Sequence, residues 1–454
     1  MTPYFHLSRY CVLVPVPGLG VTMTLNTLHH TSLVISEDTA SRLAAGDLES
    51  LSDETAAALV DLGILTTDTP EEERRTFSEV LDERARQAMT APPRAYLMPS
   101  YDCNLKCVYC FQHKIRRTTP SIHMSESTAT AAFRYLSQAF EGSTSRGVTL
   151  YGGEPLTAKN RSIVEFICAE AARHDFSVMA ATHAWNLDLY EELLGPGKIA
   201  MLHITVDGPA QIHNRLRIGP NHAETFDAIM AHVEMALRLG TRVRMRVNVD
   251  GRVLELLEEF AGDLADRGFI GHPLFSAYVA PMFATRTQVE SGSQIATATL
   301  VTEFLVARKL AETPSLARVF EGYPPVYDGI AALVEGRSSG LGAGHCCYGA
   351  RTVVLDPGGN LYPCVFLAGE RDYAAGSYLS SDATEPNGGE EWIATGTRRC
   401  SVNDCKYALY CGGGSPYDSF ARTDTAEEPS CVCADFAETF AGYARAAYLR
   451  GLAS

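Results

Sequence analysis

Three cysteines, Cys103, Cys107 and Cys110, lie within the run CNLKCVYC. Thiols at this spacing can converge on one metal centre from a single loop. A structural zinc site requires four ligands, whereas an iron–sulfur cluster with four irons can leave one iron open for an outside ligand. The spacing therefore predicts a four-iron cluster with an open position, and a zinc site completed by His113 is the alternative.

A second group of cysteines lies towards the C-terminal end of the chain. Its eight thiols are enough to hold two fully ligated four-iron clusters, and closed zinc knuckles are the alternative. Cys346 and Cys347 are adjacent and are not expected to bind the same iron, so one of the two centres can keep an open iron for a substrate. Cys11 and Cys168 lie in apolar segments and are interpreted as buried thiols. The group consists of Cys346, Cys347, Cys364, Cys400, Cys405, Cys411, Cys431 and Cys433.

The remaining composition is that of an acidic globular protein. The chain has 454 residues and a formal net charge of −16, which argues against extended contact with nucleic acid or an anionic membrane. No apolar run reaches the roughly 20 residues that a membrane span requires, and the N-terminus has no basic segment typical of an export signal. We therefore expect a cytoplasmic protein, whose reduced thiols are available as metal ligands.

Short apolar strands alternate with amphipathic helices between residues 91 and 335. This alternation predicts a parallel sheet of the α/β class, open as a partial (β/α)6 barrel. Ligands of such sheets lie at the carboxyl ends of the strands, and the first cysteine run directly follows the first predicted strand. The predicted strands are Ala95–Met98, Val148–Tyr151, Val178–Thr182, Met201–Val206, Arg242–Val249 and Leu274–Val279.

Two further regions flank this predicted barrel. Residues 1–90 combine predicted strands with helices and are expected to form a small α+β module. Residues 336–454 are rich in Gly, Pro and Cys, which is typical of a domain stabilised by metals rather than by a large core. The sequence thus predicts three domains, comprising residues 1–90, 91–335 and 336–454.

Together these motifs resemble the radical S-adenosylmethionine (SAM) enzymes, whose signature is C-x3-C-x2-C after the first barrel strand. The run YGGEP, which closes the second predicted strand, is similar to the family's GGE motif, whose glutamate helps to hold the amino group of SAM. The runs TVDGP and RVNV are similar to two later motifs of the family. The cofactor-binding residues that this resemblance implies are Gly152, Gly153, Glu154, Asp207, Arg246 and Asn248.

The resemblance also implies the cofactors and the chemistry. A [4Fe–4S] cluster on the first three cysteines would bind SAM and cleave it reductively to a 5′-deoxyadenosyl radical, which abstracts a hydrogen atom from the substrate. No general acid or base is needed for that abstraction, so no catalytic residue beyond the cluster is assigned. Many relatives carry T-N-G after the third strand, where this chain has Thr182-His183-Ala184, and His183 is therefore left out of the site.

The C-terminal cysteines resemble the extension called the SPASM domain. The segment Gly359–Cys364 matches its G-x4-C part, and the resemblance implies two auxiliary [4Fe–4S] clusters. Ser415 stands where the family usually has a cysteine, so either Cys431 or Cys433 is expected to replace that ligand. Sulfatase-maturing members have an aspartate base directly after the G-x4-C cysteine, and Val365 at that position disfavours their activity.

The predicted N-terminal module is similar to leader-peptide recognition elements, and a purely structural cap is the alternative. We therefore expect a maturase of ribosomally synthesised and post-translationally modified peptides, which forms a thioether or carbon–carbon crosslink or an epimer. Its expected partners are a precursor peptide with its leader and an external electron donor of the flavodoxin or ferredoxin type. The alternatives are a SPASM oxidoreductase acting on a small molecule or a folded protein, and a zinc-stapled binding protein.

Overall fold

The computed structural model describes residues 5–112, 115, 121–282, 302–338, 351–380, 405–415, 417 and 435–452. The chain divides into two compact units. The first, called the terminal unit, comprises residues 1–89, 302–347 and 391–454, and the second, called the barrel unit, comprises residues 90–301 and 348–390. The division into three functional domains stays a prediction.

The helices and strands fall into three successive groups along the chain. The elements of residues 5–90 are β1 (His6–Leu7), β2 (Cys11–Val16), β3 (Val21–Asn26), β4 (Thr31–Ser36), α1 (Glu37–Ala45), α2 (Asp53–Asp61), β5 (Leu65–Thr66) and α3 (Pro70–Thr90). Those of residues 91–282 are β6 (Arg94–Leu97), β7 (Lys106–Cys107), α4 (Glu126–Ala139), β8 (Gly147–Leu150), α5 (Arg161–Arg173), β9 (Ser177–Thr182), β10 (Ile199–Thr205), α6 (Ala210–Leu216), β11 (Arg217–Ile218), α7 (Phe226–Arg238), β12 (Arg242–Val249), α8 (Gly251–Glu255), α9 (Leu257–Asp266) and β13 (Phe275–Pro281). The later ones are α10 (Glu303–Glu312), α11 (Pro314–Val319), β14 (Phe320–Glu321), α12 (Pro324–Val334), β15 (Thr352–Leu355), β16 (Asn360–Tyr362), β17 (Gly376–Ser377), α13 (Ala408–Cys411) and α14 (Phe436–Gly451).

The N-terminal part of the terminal unit contains an antiparallel sheet in the order β2-β3-β4. Helix α2 begins after Ser52, whose hydroxyl accepts a hydrogen bond from the Thr55 amide (3.1 Å) and so caps the helix. Gly63 just beyond the helix has a φ of 66°, a conformation that favours glycine. Strands and helices thus both occur in residues 1–90, as the sequence predicts.

The central sheet of the barrel unit has the strand order β13-β12-β10-β9-β8-β6-β15-β16-β17. Neighbouring strands from β13 to β15 pair in parallel, and β16 and β17 continue the sheet in antiparallel pairs. The predicted α/β class and the predicted strands are confirmed, with shifts of one or two residues at the strand ends. Strand β15, which the sequence pattern did not predict, pairs with β6 from Thr352 opposite Arg94 to Leu355 opposite Leu97.

Amphipathic helices cover this sheet because their apolar residues recur at helical spacing. Helix α7 is the clearest case, and it contacts β12. Its buried side chains recur three or four residues apart, so they form one stripe along the helix. They are Phe226, Ile229, Met230, Val233, Ala236 and Leu237.

A search of the described ranges for helices long and apolar enough to cross a membrane finds none.

The terminal unit contains an unusual carboxyl group at the start of α10. Burial raises the pKa of Glu303 from 4.5 to about 8, opposed by a hydrogen bond with Tyr443, and its Oε1 atom is buried without a partner among the described residues. Because the folded state holds this proton more tightly than the unfolded state, Glu303 contributes stability below about pH 4.5 that is lost as the pH rises through about 8. Ionisation of Glu303 at alkaline pH therefore lowers the free energy of unfolding.

We expect Glu303→Gln to stabilise the protein relative to the wild type at pH 9 by on the order of 1–2 kcal/mol, and by much less at pH 5. The reason is that glutamine keeps the shape of the side chain and cannot ionise. Thermal unfolding at the two pH values measures the difference. Glu312→Gln at the exposed end of the same helix is the control, and an equal effect of Glu303→Gln at both pH values would contradict the assignment.

Candidate active site

The predicted site residues lie at the carboxyl ends of neighbouring strands of the barrel sheet. The cysteine loop follows β6, residues 152–154 follow β8, and Asp207 follows β10. Arg246 and Asn248 lie in the last part of β12. Since parallel strands end at the same edge of a sheet, one edge carries all of these residues, as the sequence predicts.

The loop of residues 98–112 carries Cys103, Cys107 and Cys110, and all three side chains are partly exposed. The Cys110 amide donates to the Cys107 carbonyl oxygen (3.2 Å), which forms a tight turn between two of the thiols. Among the described residues, no three His, Cys, Asp or Glu side chains are arranged as a ready metal site, and His113 lies outside those residues. The ligand set therefore stays a prediction from residue type and spacing.

The glycine pair after β8 packs against the backbone of the cysteine loop. A Cβ atom on Gly152 would lie 2.4 Å from the Ser100 carbonyl oxygen, and one on Gly153 would lie 2.3 Å from the carbonyl oxygens of both Tyr101 and Asp102. The Glu154 amide also donates to the Asp102 carbonyl oxygen (2.8 Å). Because glycine has no side chain, the turn after β8 packs directly against the backbone of residues 100–102, which lead into Cys103.

Glu154 ties this turn to the end of β9. Its buried carboxylate accepts hydrogen bonds from the Thr182 hydroxyl (2.6 Å), the His183 amide (2.8 Å) and the Leu156 amide (2.9 Å). Burial raises the pKa of Glu154 to about 7, and these hydrogen bonds oppose the rise. Both carboxylate oxygens of Glu154 therefore already accept hydrogen bonds from the protein. Contact between Glu154 and the amino group of a ligand stays a prediction.

His183, which the sequence argument left out, lies in this arrangement. Its Nδ1 accepts from the Trp185 amide (3.0 Å), so its proton lies on Nε2, which is 2.8 Å from the Asn104 side-chain oxygen. Burial and the charge of Arg217 keep the pKa of His183 well below its usual range, so the ring is neutral. His183 thus joins the end of β9 to the cysteine loop, and its position directly after a parallel strand was the available signal.

A polar network joins the cysteine loop to β10 and β12. The Tyr109 hydroxyl donates to the Asp207 carboxylate and accepts from Arg217 Nη1 (2.6 Å) and from the Asn248 side-chain amide (3.2 Å). Asn248 also donates to Asp207 (3.1 Å), and Arg246 Nε donates to the Asn248 side-chain oxygen (2.7 Å). Tyr109 thus contacts two predicted cofactor-binding residues, Asp207 and Asn248, and Asn248 in turn accepts from Arg246. Tyr109 and its partner Arg217 were not among the predicted site residues.

The groups of this network stabilise the protonated phenol of Tyr109 and the positive charge of Arg217. Burial raises the pKa of Tyr109, which keeps the phenol protonated and able to donate to Asp207. Burial alone would lower the pKa of Arg217, but the facing groups Cys107, Tyr109 and Asp207 hold it above its usual range. A permanent positive charge is therefore buried next to the cysteine loop.

The apolar cluster beneath the cysteine loop includes the residue that follows Cys364. Val365 has 0% exposure and belongs to a cluster with Met98, Tyr101 and Tyr362. The Tyr101 hydroxyl donates to Asp356 (3.0 Å) in the turn between β15 and β16. This position is therefore a packing position, and its side chain supplies no acid or base.

Three of the late cysteines lie among the described residues. Cys364 follows β16 in the barrel unit, whereas Cys405 and Cys411 lie in the terminal unit. The grouping of the late thiols into two centres stays a prediction. The positions outside the described residues are Cys346, Cys347, Cys400, Cys431 and Cys433.

The N-terminal module holds the Cys405–Cys411 segment inside the terminal unit. The Thr27 hydroxyl donates to the Lys406 carbonyl oxygen (2.6 Å), and Arg84 Nη1 donates to the Leu409 carbonyl oxygen (3.1 Å). The His30 ring lies 2.7 Å from the Tyr410 hydroxyl. Residues from the two ends of the sequence thus form one folded unit.

Residues 97–264 match the family model of the radical SAM superfamily. This region is a radical SAM domain. The matched range contains the cysteine loop, the glycine pair and the network around Asp207, which are the features found at the carboxyl edge of the sheet. The chain therefore contains a radical SAM domain, which supports an enzymatic activity.

Relatives of known structure and sequence have the same fold. The cysteine-type anaerobic sulfatase-maturating enzyme of Clostridium perfringens is 22% identical over 373 residues, which cover 77% of this chain and 96% of the relative. The solved structure of native anSMEcpe with bound AdoMet has a TM-score of 0.62 at 18% identity, covering 80% of this chain and 99% of that one. Streptococcus suis SuiB bound to its precursor peptide SuiA has a TM-score of 0.51 at 14% identity, covering 94% and 99%.

A radical SAM domain implies a [4Fe–4S] cluster and SAM as cofactors, and the residues present fit them. Three partly exposed thiols on one loop are the donor set that such a cluster requires. Arg217 is 8% exposed, and its Nε atom is a buried donor without a partner among the described residues. Buried donors are normally paired, so this donor is available to an electron-rich ligand.

Proposed function

We propose that this radical SAM enzyme modifies a ribosomally made precursor peptide, forming a thioether or carbon–carbon crosslink or an epimer. The observation that carries the proposal is the cysteine loop at the carboxyl edge of the sheet, seated by the Gly152–Gly153 pair and joined to the network of Tyr109 and Asp207. When bound, the cluster and SAM supply a 5′-deoxyadenosyl radical that removes a hydrogen atom from the substrate.

The residues of the chain hold and orient these groups. Cys103, Cys107 and Cys110 are proposed to ligate the catalytic cluster. The glycine pair fixes the path of the loop, and the Asp207–Asn248 pair fixes its far side through Tyr109. Residues 152–154, Asp207, Arg246 and Asn248 are proposed to line the SAM site.

A peptide substrate is favoured over a sulfatase. The buried Val365 occupies the position of the aspartate base expected in sulfatase maturation, and its neighbours are apolar. The likeness to the SuiB structure, which was determined with a precursor peptide, extends over 94% of this chain. That coverage exceeds the 80% found for anSMEcpe with bound AdoMet, which is consistent with an N-terminal part that serves peptide binding.

The N-terminal module is proposed to bind the leader peptide by adding it to a sheet edge. The outer strands of its sheet are β2 and β4. In β2, Pro15 lacks an amide hydrogen, and its carbonyl oxygen already accepts from Arg445 (2.8 Å). The edge of β4, where Val34 is exposed, is therefore the better site for a leader strand.

The eight late cysteines are proposed to form a SPASM domain with two auxiliary [4Fe–4S] clusters. These clusters would carry electrons away from a substrate radical or bind a substrate thiol, and an external flavodoxin or ferredoxin would supply the reducing electron. Because the Cys405–Cys411 segment is held by Thr27 and Arg84, the N-terminal module would support one of these centres.

The test is to reconstitute the full chain with iron and sulfide anaerobically and incubate it with SAM, a reductant and candidate precursor peptides taken from short open reading frames beside its gene. We expect formation of 5′-deoxyadenosine together with a peptide that has lost two hydrogen atoms, which indicates a crosslink. An epimer keeps its mass in water and gains one deuterium in D2O, since the abstracted hydrogen is replaced from an exchangeable donor.

The matched control is the same peptide without its leader. We expect its conversion to fall by about 10-fold or more, because the leader raises the effective concentration of the core peptide at the site. A protein that forms no iron–sulfur chromophore, or one that makes 5′-deoxyadenosine but leaves the peptide unchanged in both solvents, would contradict the proposal. The latter result would favour a small molecule or a folded protein as substrate.

A further inference from the structure

Arg217 is buried directly opposite one of the predicted cluster ligands. In the short antiparallel ribbon of β7 and β11, Arg217 pairs with Cys107, and Ile218 pairs with Lys106. Residues directly opposite each other in such a ribbon have their side chains on the same face, about 5 Å apart at Cβ. The Val108 amide also donates to the Leu216 carbonyl oxygen (3.0 Å), which extends the contact between the two segments.

The guanidinium of Arg217 has a fixed position and a spare donor. Nη1 donates to the Tyr109 hydroxyl (2.6 Å) and lies 3.8 Å from the Asp207 carboxylate. The backbone of Arg217 is held as well, because its carbonyl oxygen accepts from the Thr225 hydroxyl (2.9 Å). Nε, in contrast, is buried with no partner among the described residues, although a buried guanidinium normally uses its donors.

We propose that Arg217 places a buried positive charge on the same face of the β7–β11 ribbon as the Cys107 side chain, so that this charge acts on the catalytic cluster held by that thiolate. The inference rests on the proposed function, because it requires a cluster on this loop. Its consequence is electrostatic. A cation or a hydrogen-bond donor beside a cluster sulfur stabilises the reduced cluster, which bears more negative charge, and so raises the midpoint potential.

The experiment measures the midpoint potential of the SAM-binding cluster by redox titration monitored with EPR, using the reconstituted full chain. The relevant signal is the one that changes when SAM is added, which separates it from the signals of auxiliary clusters. We expect Arg217→Gln to shift the midpoint to a lower potential, and Arg217→Lys, which keeps the charge but not the planar fork, to give an intermediate value.

Arg215→Gln is the matched control, since Arg215 is exposed and lies two residues earlier, in helix α6. The midpoint potential of the SAM-binding cluster in the Arg215→Gln variant should equal that of the wild type. A wild-type potential in Arg217→Gln would overturn the inference while leaving the proposed function intact. Loss of the cluster in both Arg217 variants, with a normal cluster in Arg215→Gln, would also overturn it, because the residue would then serve folding or assembly. A wild-type chain without a SAM-responsive cluster would overturn both proposals.

Discussion

Cys107→Ala abolishes the formation of 5′-deoxyadenosine in the reconstituted enzyme, as do Cys103→Ala and Cys110→Ala. The reason is that each change removes one of only three thiolates available to a cluster that must keep its remaining iron open. Each variant should also lose the share of bound iron that belongs to one cluster, while the auxiliary centres remain. The measurements are product formation by chromatography and iron content per chain.

Cys168→Ala is the matched control for these variants. Cys168 lies in α5, within the same barrel unit. Its side chain is only partly buried, so the interpretation as a buried thiol is correct for Cys11 but not for Cys168. We expect its iron content and product formation to equal those of the wild type. Continued 5′-deoxyadenosine formation by any one of the three loop variants would show that the cluster is not held by this loop.

Gly153→Ala lowers the rate of SAM cleavage by about 100-fold or more, because a displacement of about 1 Å in a positioned group is enough for such a loss. The added methyl group would lie 2.3 Å from two backbone carbonyl oxygens, those of Tyr101 and Asp102. Backbone atoms cannot rotate away as a side chain can, so the segment leading into Cys103 must move. Iron occupancy of the catalytic cluster should fall along with the rate.

Gly262→Ala is the control for this substitution. Gly262 lies within α9 of the same unit, and a Cβ atom there meets nothing within 4 Å. Alanine at a helical position of this kind is tolerated and even favours the helix. A Gly153→Ala enzyme with normal iron content and a normal rate would show that the glycine pair is not needed to seat the loop.

The polar network gives the site its rigidity. The cysteine loop is held on one side by the turn after β8 and on the other by Tyr109, whose hydroxyl contacts Asp207, Arg217 and Asn248. A single loop thus contacts four different strands or strand ends, those of β8, β10, β11 and β12. Such preorganisation would suit the proposed reaction, because a site that is already ordered limits the side reactions of a radical.

Much of the fold follows from local pattern. The apolar runs from Ala95 to Val279 are separated by amphipathic segments, and that alternation alone specifies parallel strands joined by helices. The start of α2 follows from the serine at position 52, whose hydroxyl caps the helix. Strand β15 did not follow, because a short apolar run in a glycine-rich region has no periodicity that distinguishes a strand paired with β6 from a loop segment.

The proposed chemistry of this protein follows from the order of its residues. The spacing of Cys103, Cys107 and Cys110 and the glycine–glycine–glutamate turn depend only on residue type and position along the chain, so they can be identified before any folding is considered. The side chains that complete the site become apparent only in the folded chain. The His183 ring lies 2.8 Å from the Asn104 side-chain oxygen, and Arg217 donates to Tyr109. These pairs join segments far apart in the chain, and local sequence pattern does not show which distant residues form hydrogen bonds.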